Sequence, residues 1–410
     1  MRLTVLAVLL VVSVPGGAQE ALNLAREMPP AGKVSVAEAV RGGVDYLIQT
    51  QNRDGSFGRS TVGRTWEIMA SVPGSHHAFR AATTALCWMG LRDVDYQTEE
   101  SRAAARRALA WMVEHVRVKR ATPVEMYNIW ALGYGLRALA QAIRTGAEGA
   151  SEADLRAEAR QLVRALQIYQ VPDGGFGYYD FEAHTFHPSG TGMSFTTATV
   201  LVALHEARAA GIEVPDRLIE RAVKSVRACR KKDGSYIYGG YLRYRPRMGV
   251  NQPKGSSLRT QACNVALRLF DGGVTEQDLR DGLHEFEACH RFAVAGVRRP
   301  IPHESWYQVS GYFYLYGHMY AAMVLERLGP ADRERFWPVV VRGLLKCREP
   351  DGSFWDYPIY GYGKAYGTGY ALMTLGRCPG SIARTLGPGG TPPADTEGGA
   401  SAATAKELKG

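Results

Sequence analysis

The sequence predicts an all-α fold, an α6/α6 toroid in which six helical hairpins close into a ring of inner and outer helices. Three observations carry this prediction. A turn motif recurs at fixed spacing, helices of two polarities alternate between its copies, and six such units account for nearly the whole chain.

The motif first occurs as Gln51-Asn52-Arg53-Asp54-Gly55-Ser56-Phe57. It returns as Gln170…Asp173-Gly174-Gly175-Phe176, Arg230…Asp233-Gly234-Ser235-Tyr236 and Arg348…Asp351-Gly352-Ser353-Phe354. The aspartates are separated by 119, 60 and 118 residues, so a period of about 60 places two eroded copies near residues 113 and 292. His290 stands in the slot of Gln51, four residues after Phe286, where clear copies carry Leu47, Leu166, Val226 and Leu344. Trp111-Met112 marks the sixth. The turn has a structural reading: glycine tolerates the positive φ that ends a helix, and the aspartate can bond nearby backbone. Asp54, Gly55, Asp173, Gly174, Asp233, Gly234, Asp351 and Gly352 are therefore expected to be structural turn residues.

Each unit reads as two helices. The first, over 36–51, 101–118, 151–169, 215–230, 275–291 and 333–346, is amphipathic at helical period. The second, over 77–91, 126–142, 194–207, 257–270, 309–328 and 366–375, is apolar nearly all round and must be buried all round. Solvated outer helices alternating with buried inner ones describe a closed ring more naturally than an open superhelix, which would show capping repeats.

The ends have other roles. Arg2, the apolar run 3–14 and the small residues Gly16 and Ala18 read as an export signal over residues 1–18. Residues 19–35 form a lead-in and 36–378 the toroid. Residues 379–410, rich in Pro, Gly and Ala, read as a disordered tail. The expected location is periplasmic or extracellular, and no later stretch is long and apolar enough to span a bilayer. A net charge of +9 raises nucleic acid as a partner, but the basic residues are dispersed and form no Lys/Arg-rich block, so none is expected.

Long links join each outer helix to its inner partner, and the links back are short, so the long ones gather on one face, the mouth of the ring. The N-termini of the inner helices point there too, where their partial positive charge favours an anion. The mouth is expected to use Tyr178, Tyr179, Arg243, Arg245, Trp306, Tyr307, Tyr360 and Lys364 for binding. A lipid, glycan or protein ligand with a polar or anionic head and a flat or apolar body fits this lining. Candidate catalytic residues are Glu182, His184 and His187 in one loop, and His303 and Glu304 in another. Paired carboxylates across the mouth could attack a glycan. His76, His77 and His318 read as polar core residues.

The pattern Tyr46-Leu47…Gln51…Asp54-Gly55…Phe57 resembles the QW-type repeat of squalene and oxidosqualene cyclases and of protein prenyltransferase β subunits. The resemblance spans nearly the whole mature chain and implies their α/α-toroid fold. Their chemistries match less well. Cyclases of this type use an Asp-x-Asp-Asp acid, whereas Asp93-Val-Asp95-Tyr96 lacks the last acid and lies in a short link on the opposite face. Prenyltransferases bind zinc through Asp, Cys and His, whereas Gln261-Ala262-Cys263 and Tyr366-Gly367-Thr368 keep one ligand of the three. The Cys-Gly-Glu-Gln of thioester toroids is absent. No metal and no cofactor is therefore expected, and the reading leans toward ligand binding without the family's usual catalysis. The alternative is terpene-cyclase-like or polysaccharide-processing chemistry in the cavity.

Cys229, Cys289 and Cys347 share one repeat position. Equivalent points on neighbouring hairpins lie roughly 10 Å apart by helix-packing distance, beyond disulfide reach. Buried thiols are expected.

Overall fold

The computed structural model describes residues 34–59, 74–118, 125–180, 190–299, 303, 308–357 and 362–385. The expected export signal and most of the lead-in lie outside these residues. Six outer helices, α1 (Val36–Thr50), α3 (Glu99–His115), α5 (Glu152–Tyr169), α7 (Asp216–Ala228), α9 (Glu276–Gly296) and α11 (Pro330–Leu345), alternate with six inner ones. The inner helices are α2 (Ser75–Asp93), α4 (Asn128–Thr145), α6 (Ser194–Ala209), α8 (Pro253–Leu269), α10 (Tyr314–Leu325) and α12 (Gly363–Leu375). Each inner helix packs on the next, and α12 packs on α2, so the ring is closed. The fold is an α6/α6 toroid, with a two-residue antiparallel ladder between β1 (Glu125–Met126) and β2 (Tyr179–Asp180).

The two rings form for different reasons. Four of the six outer helices described start at Ser or Thr caps, while α7 and α11 start at Pro215 and Gly329. Ser35 and Glu38, Thr98 and Ser101, and Thr275 and Asp278 form reciprocal boxes that satisfy otherwise orphaned N–H groups. Only one stripe of each outer helix is buried, as in Leu155, Ala159, Leu162 and Leu166 of α5. Inner helices have no side-chain cap of their own. Their stability comes from burial on every side, and all of α10 is buried.

The four Asp-Gly turns share one geometry. Each aspartate accepts a hydrogen bond from the backbone two residues on, at 3.1 Å for Asp54, 2.9 Å for Asp173, 3.1 Å for Asp233 and 3.0 Å for Asp351. The following aromatics, Phe57, Phe176, Tyr236 and Phe354, are fully buried. The glutamines couple neighbouring units: Gln51 Nε2 donates to Gly55 O and to Ala104 O on the next outer helix, each at 2.8 Å. Gln170 does the same with Gly174 O and Leu218 O.

The structure revises several boundaries, among them the start of the fifth inner helix, at Tyr314 rather than near 309. The expected tail from residue 379 contains a short helix, α13 (Gly380–Thr385), lying between α11 and α1, because Ile382 and Ala383 pack against the core. The fifth outer helix runs to Gly296 rather than ending near 291, since no Asp-Gly turn interrupts it there. All six cysteines are free and buried, Cys87, Cys263 and Cys347 completely. Burial raises their thiol pKa values, that of Cys229 to about 12, which keeps them protonated.

Candidate functional site

The lumen is crossed by side chains. Tyr134 on α4 and Tyr370 on α12 share a hydroxyl–hydroxyl bond. Tyr320 on α10 donates to Thr199 on α6 at 3.0 Å. Tyr316 donates to the Phe195 carbonyl at 3.1 Å, which leaves the Thr199 hydroxyl to donate to Tyr316 at 3.1 Å. Arg137 on α4 lies against the thioethers of Met319 and Met323 on α10, at 3.8 and 3.5 Å. These helices are not neighbours in the ring, so their side chains meet only across its interior. At this depth the space is occupied by protein, and a ligand approaching from the loop face meets this belt as a floor.

Above the floor lies a collar of aromatic rings. Tyr178 stacks on Tyr127 at 5.7 Å and on Trp130 at 6.4 Å. Phe195 sits edge-on to Tyr238 at 5.1 Å and to Phe313 at 4.9 Å, the arrangement ring quadrupoles favour. On the far side Phe79 stacks on Tyr362, whose hydroxyl bonds His76. Tyr127, Trp130, Tyr178 and Tyr312 are only partly buried.

A hydroxyl relay joins three of the loops. Tyr178 and Tyr238 hydroxyls lie 2.8 Å apart, Tyr238 and Tyr312 3.4 Å, and Tyr312 reaches His303 Nε2 at 3.1 Å. His303 Nδ1 is 2.7 Å from the Gln308 carbonyl, to which it must donate. Nε2 therefore carries the lone pair, and Tyr312 donates to it. Burial lowers the pKa of His303 against the pull of the Gln308 carbonyl, so the ring is neutral. Beneath the relay the fully buried Arg259 donates to Gly255 O at 2.7 Å and Val250 O at 2.7 Å. Its guanidinium lies 5.0 Å from the Tyr238 ring centre and 5.2 Å from that of Phe313. Carbonyl dipoles and ring faces, rather than a carboxylate, offset its desolvation.

Asp356 is a buried acid in the same wall. Its carboxyl accepts from Leu315 N–H at 2.8 Å and the Tyr366 hydroxyl at 3.1 Å, capping α10 from another loop. Burial outweighs these bonds and raises its pKa to about 7. Ser194 N–H, at the start of α6, likewise donates to the Tyr238 carbonyl at 3.0 Å. At these two starts, loop groups already satisfy donors that the sequence reading left for an anion.

The expected site residues divide clearly. Tyr178 and His303 belong to the relay. Arg243 and Arg245 are exposed on the loop above it. Tyr179 pairs with Met126 in the ladder. Lys364 bonds Asp351 at 2.6 Å, bracing the fourth turn as Arg80 braces Asp54. Glu182, His184, His187, Glu304, Trp306, Tyr307 and Tyr360 lie outside the described residues. Of the expected core histidines, His318 is fully buried, 3.3 Å from His290, and burial pushes its pKa down to about 3. Tyr238, Tyr312, Arg259 and Asp356 were not singled out from the sequence. Two of them had a signal: the residue two after each turn aromatic is Arg59, Tyr178, Tyr238 or Asp356, one repeat position at the mouth. Among the described residues no three metal-ligating side chains cluster.

This architecture defines the class of fold, an α/α toroid. No protein-family model matches the chain, and no curated protein does. Solved structures share its fold. A variant of the type II terpene cyclase MstE from Scytonema, in complex with geranylgeranyl dihydroxybenzoate, matches with a TM-score of 0.50 at 13% identity, over 89% of this chain and 99% of that one. An inactive variant of a GH76 α-1,6-mannanase of Salegentibacter sp., in complex with α-1,6-mannotetrose, gives 0.52 at 10% identity over 86% and 99%. A D-mannose isomerase gives 0.53 at 10% identity over 85% and 97%.

Proposed function

We propose that the mouth of this toroid binds a glycan, with sugar rings seated on the aromatic collar and their hydroxyls exchanging hydrogen bonds with the tyrosine relay. The observation that carries this reading is the chain Tyr178–Tyr238–Tyr312–His303, a run of polar tips on apolar faces. Sugar rings present the same combination, hydroxyl edges around C–H faces, whereas an isoprenoid offers no partner for the hydroxyls. The side-chain belt below supports a shallow ligand over a long chain threaded into the lumen. The export signal expected from the sequence would place the mouth outside the cytoplasm.

A second reading, glycan processing at the same mouth, is favoured by His303. Its neutral Nε2 is the acceptor end of the relay, so a proton leaving a substrate hydroxyl could pass to Tyr178 and on through Tyr238 and Tyr312 to His303, each phenol gaining one proton as it gives one up. Glu182, His184, His187 and Glu304 remain candidate partners for that chemistry.

Calorimetric titration of the full chain with oligosaccharides and with a polyprenyl alcohol tests the proposal, with product analysis on the same samples. Saccharide binding is expected, and Tyr178→Phe, which keeps the ring and removes one hydroxyl, is expected to weaken it about fivefold to tenfold. Binding of the polyprenyl alcohol alone would overturn the proposal, and turnover would select the second reading.

A further inference from the structure

The loop between α7 and α8 rises from the relay, and the geometry points to a specific role for it: a rigid basic and aromatic ridge that recognises an acidic glycan chain bearing carboxylates, as uronate residues do. The inference rests on the mouth being a glycan site and adds the charge of the polymer.

No Asp or Glu occurs between Asp233 and Asp271, and Arg243, Arg245 and Arg247 stand at alternate positions on the ridge. All three are exposed, and among the described residues no carboxylate pairs with them. The nearby Asp173 is engaged by the N–H groups of Gly175 and Gly192, each at 2.9 Å. Between the arginines Tyr244 is 88% exposed, and Tyr241 is 48% exposed. Guanidinium forks match carboxylates in a bidentate way, and tyrosine rings supply contact area with few torsions to freeze.

The ridge is held rigidly from beneath. Asn251 is fully buried, its Oδ1 accepting from Tyr238 N–H at 2.7 Å and its Nδ2 donating to the Arg245 carbonyl at 2.9 Å. One amide therefore ties the relay to the ridge. Arg259 donates to Val250 O, and Lys231 donates to Asn251 O at 2.9 Å. Successive tight turns fix the backbone, with Leu242 N–H on Gly239 O and Arg245 N–H on Leu242 O, both at 2.9 Å. A preorganised ridge loses little entropy on binding. An anionic membrane fits less well, because Leu242 points inward and the ridge exposes no Leu, Ile, Phe or Trp to insert.

The test is titration of the full chain with an oligogalacturonate and with its methyl ester, which keeps the backbone and removes the charge. The acid is expected to bind at least about tenfold more tightly, and the difference to collapse at high salt. R243Q/R245Q/R247Q should abolish the difference while the thermal midpoint holds, and Tyr244→Ala should weaken both forms. Equal binding of acid and ester would overturn the ridge assignment and leave the mouth reading standing. Failure of every saccharide would remove both. A single-stranded oligonucleotide bound as tightly as the acid would replace the glycan with a nucleic-acid partner.

Discussion

The carboxyl group of Asp356 accepts the backbone N–H of Leu315 at 2.8 Å, so a residue from the last hairpin caps the inner helix of the one before. The cap sits in full burial, and burial is what raises its pKa to about 7.

That position makes stability depend on pH. In the unfolded chain Asp356 titrates near about 4. The folded state therefore binds the proton more tightly, and stability falls as pH rises from about 4 to about 7. Each pH unit in that window is worth at most about 1.4 kcal/mol. Glu285, raised to about 7 by burial, contributes with the same sign. Buried His318, whose pKa is held down at about 3, contributes with the opposite sign, so the acids are read by difference. The denaturant midpoint of the parent relative to D356N is expected to decline from acid to neutral pH, and relative to D356N/E285Q to decline further. An unchanged slope in the double variant would refute the assignment.

The four turns predict a second contrast. Gly234 and Gly352 have nearly the same φ, 82° and 86°. A Cβ on Gly234 meets nothing within 4 Å, whereas one on Gly352 would lie 2.3 Å from the Gly42 carbonyl oxygen on α1. Gly234→Ala should cost about 1 kcal/mol from left-handed strain. Gly352→Ala should cost roughly 1–3 kcal/mol more, because the last turn must move away from the first helix. Equal losses in urea titration would show that the closing contact yields freely.

Arg137 supplies a third. It is 3% exposed, and its described hydrogen-bond partners are two methionine sulfurs. Thioethers are weak acceptors and offset little of the cost of burying a cation. Arg137→Met should therefore leave stability unchanged or raise it by up to about 3 kcal/mol. A clear loss in the same assay would mean that the guanidinium holds the floor more firmly than those contacts indicate.

The fold was legible because its signals are local or periodic. The spacing of Asp54, Asp173, Asp233 and Asp351, the Asp-Gly turn chemistry and the two helix polarities belong to short stretches, and a pattern repeated six times closes in one way. The sequence alone thus determined the ring, its two layers and the face on which the long loops gather. The end of α9 and the α13 helix were less legible, since packing extends a helix or orders a segment where local signals are weak.

The site was not legible in the same way. Tyr178, Tyr238 and Tyr312 lie on three different hairpins, and which hydroxyls meet depends on loop paths that no residue spacing encodes. Arg259 and Asp356 are ordinary charged residues in the sequence, and only full burial makes one a cation held by carbonyls and the other an acid with a pKa of about 7. The occupied lumen depends on Tyr134 meeting Tyr370 across the ring. Closure brings distant inner helices within side-chain reach, and only the tertiary structure decides which side chains fill the space between them.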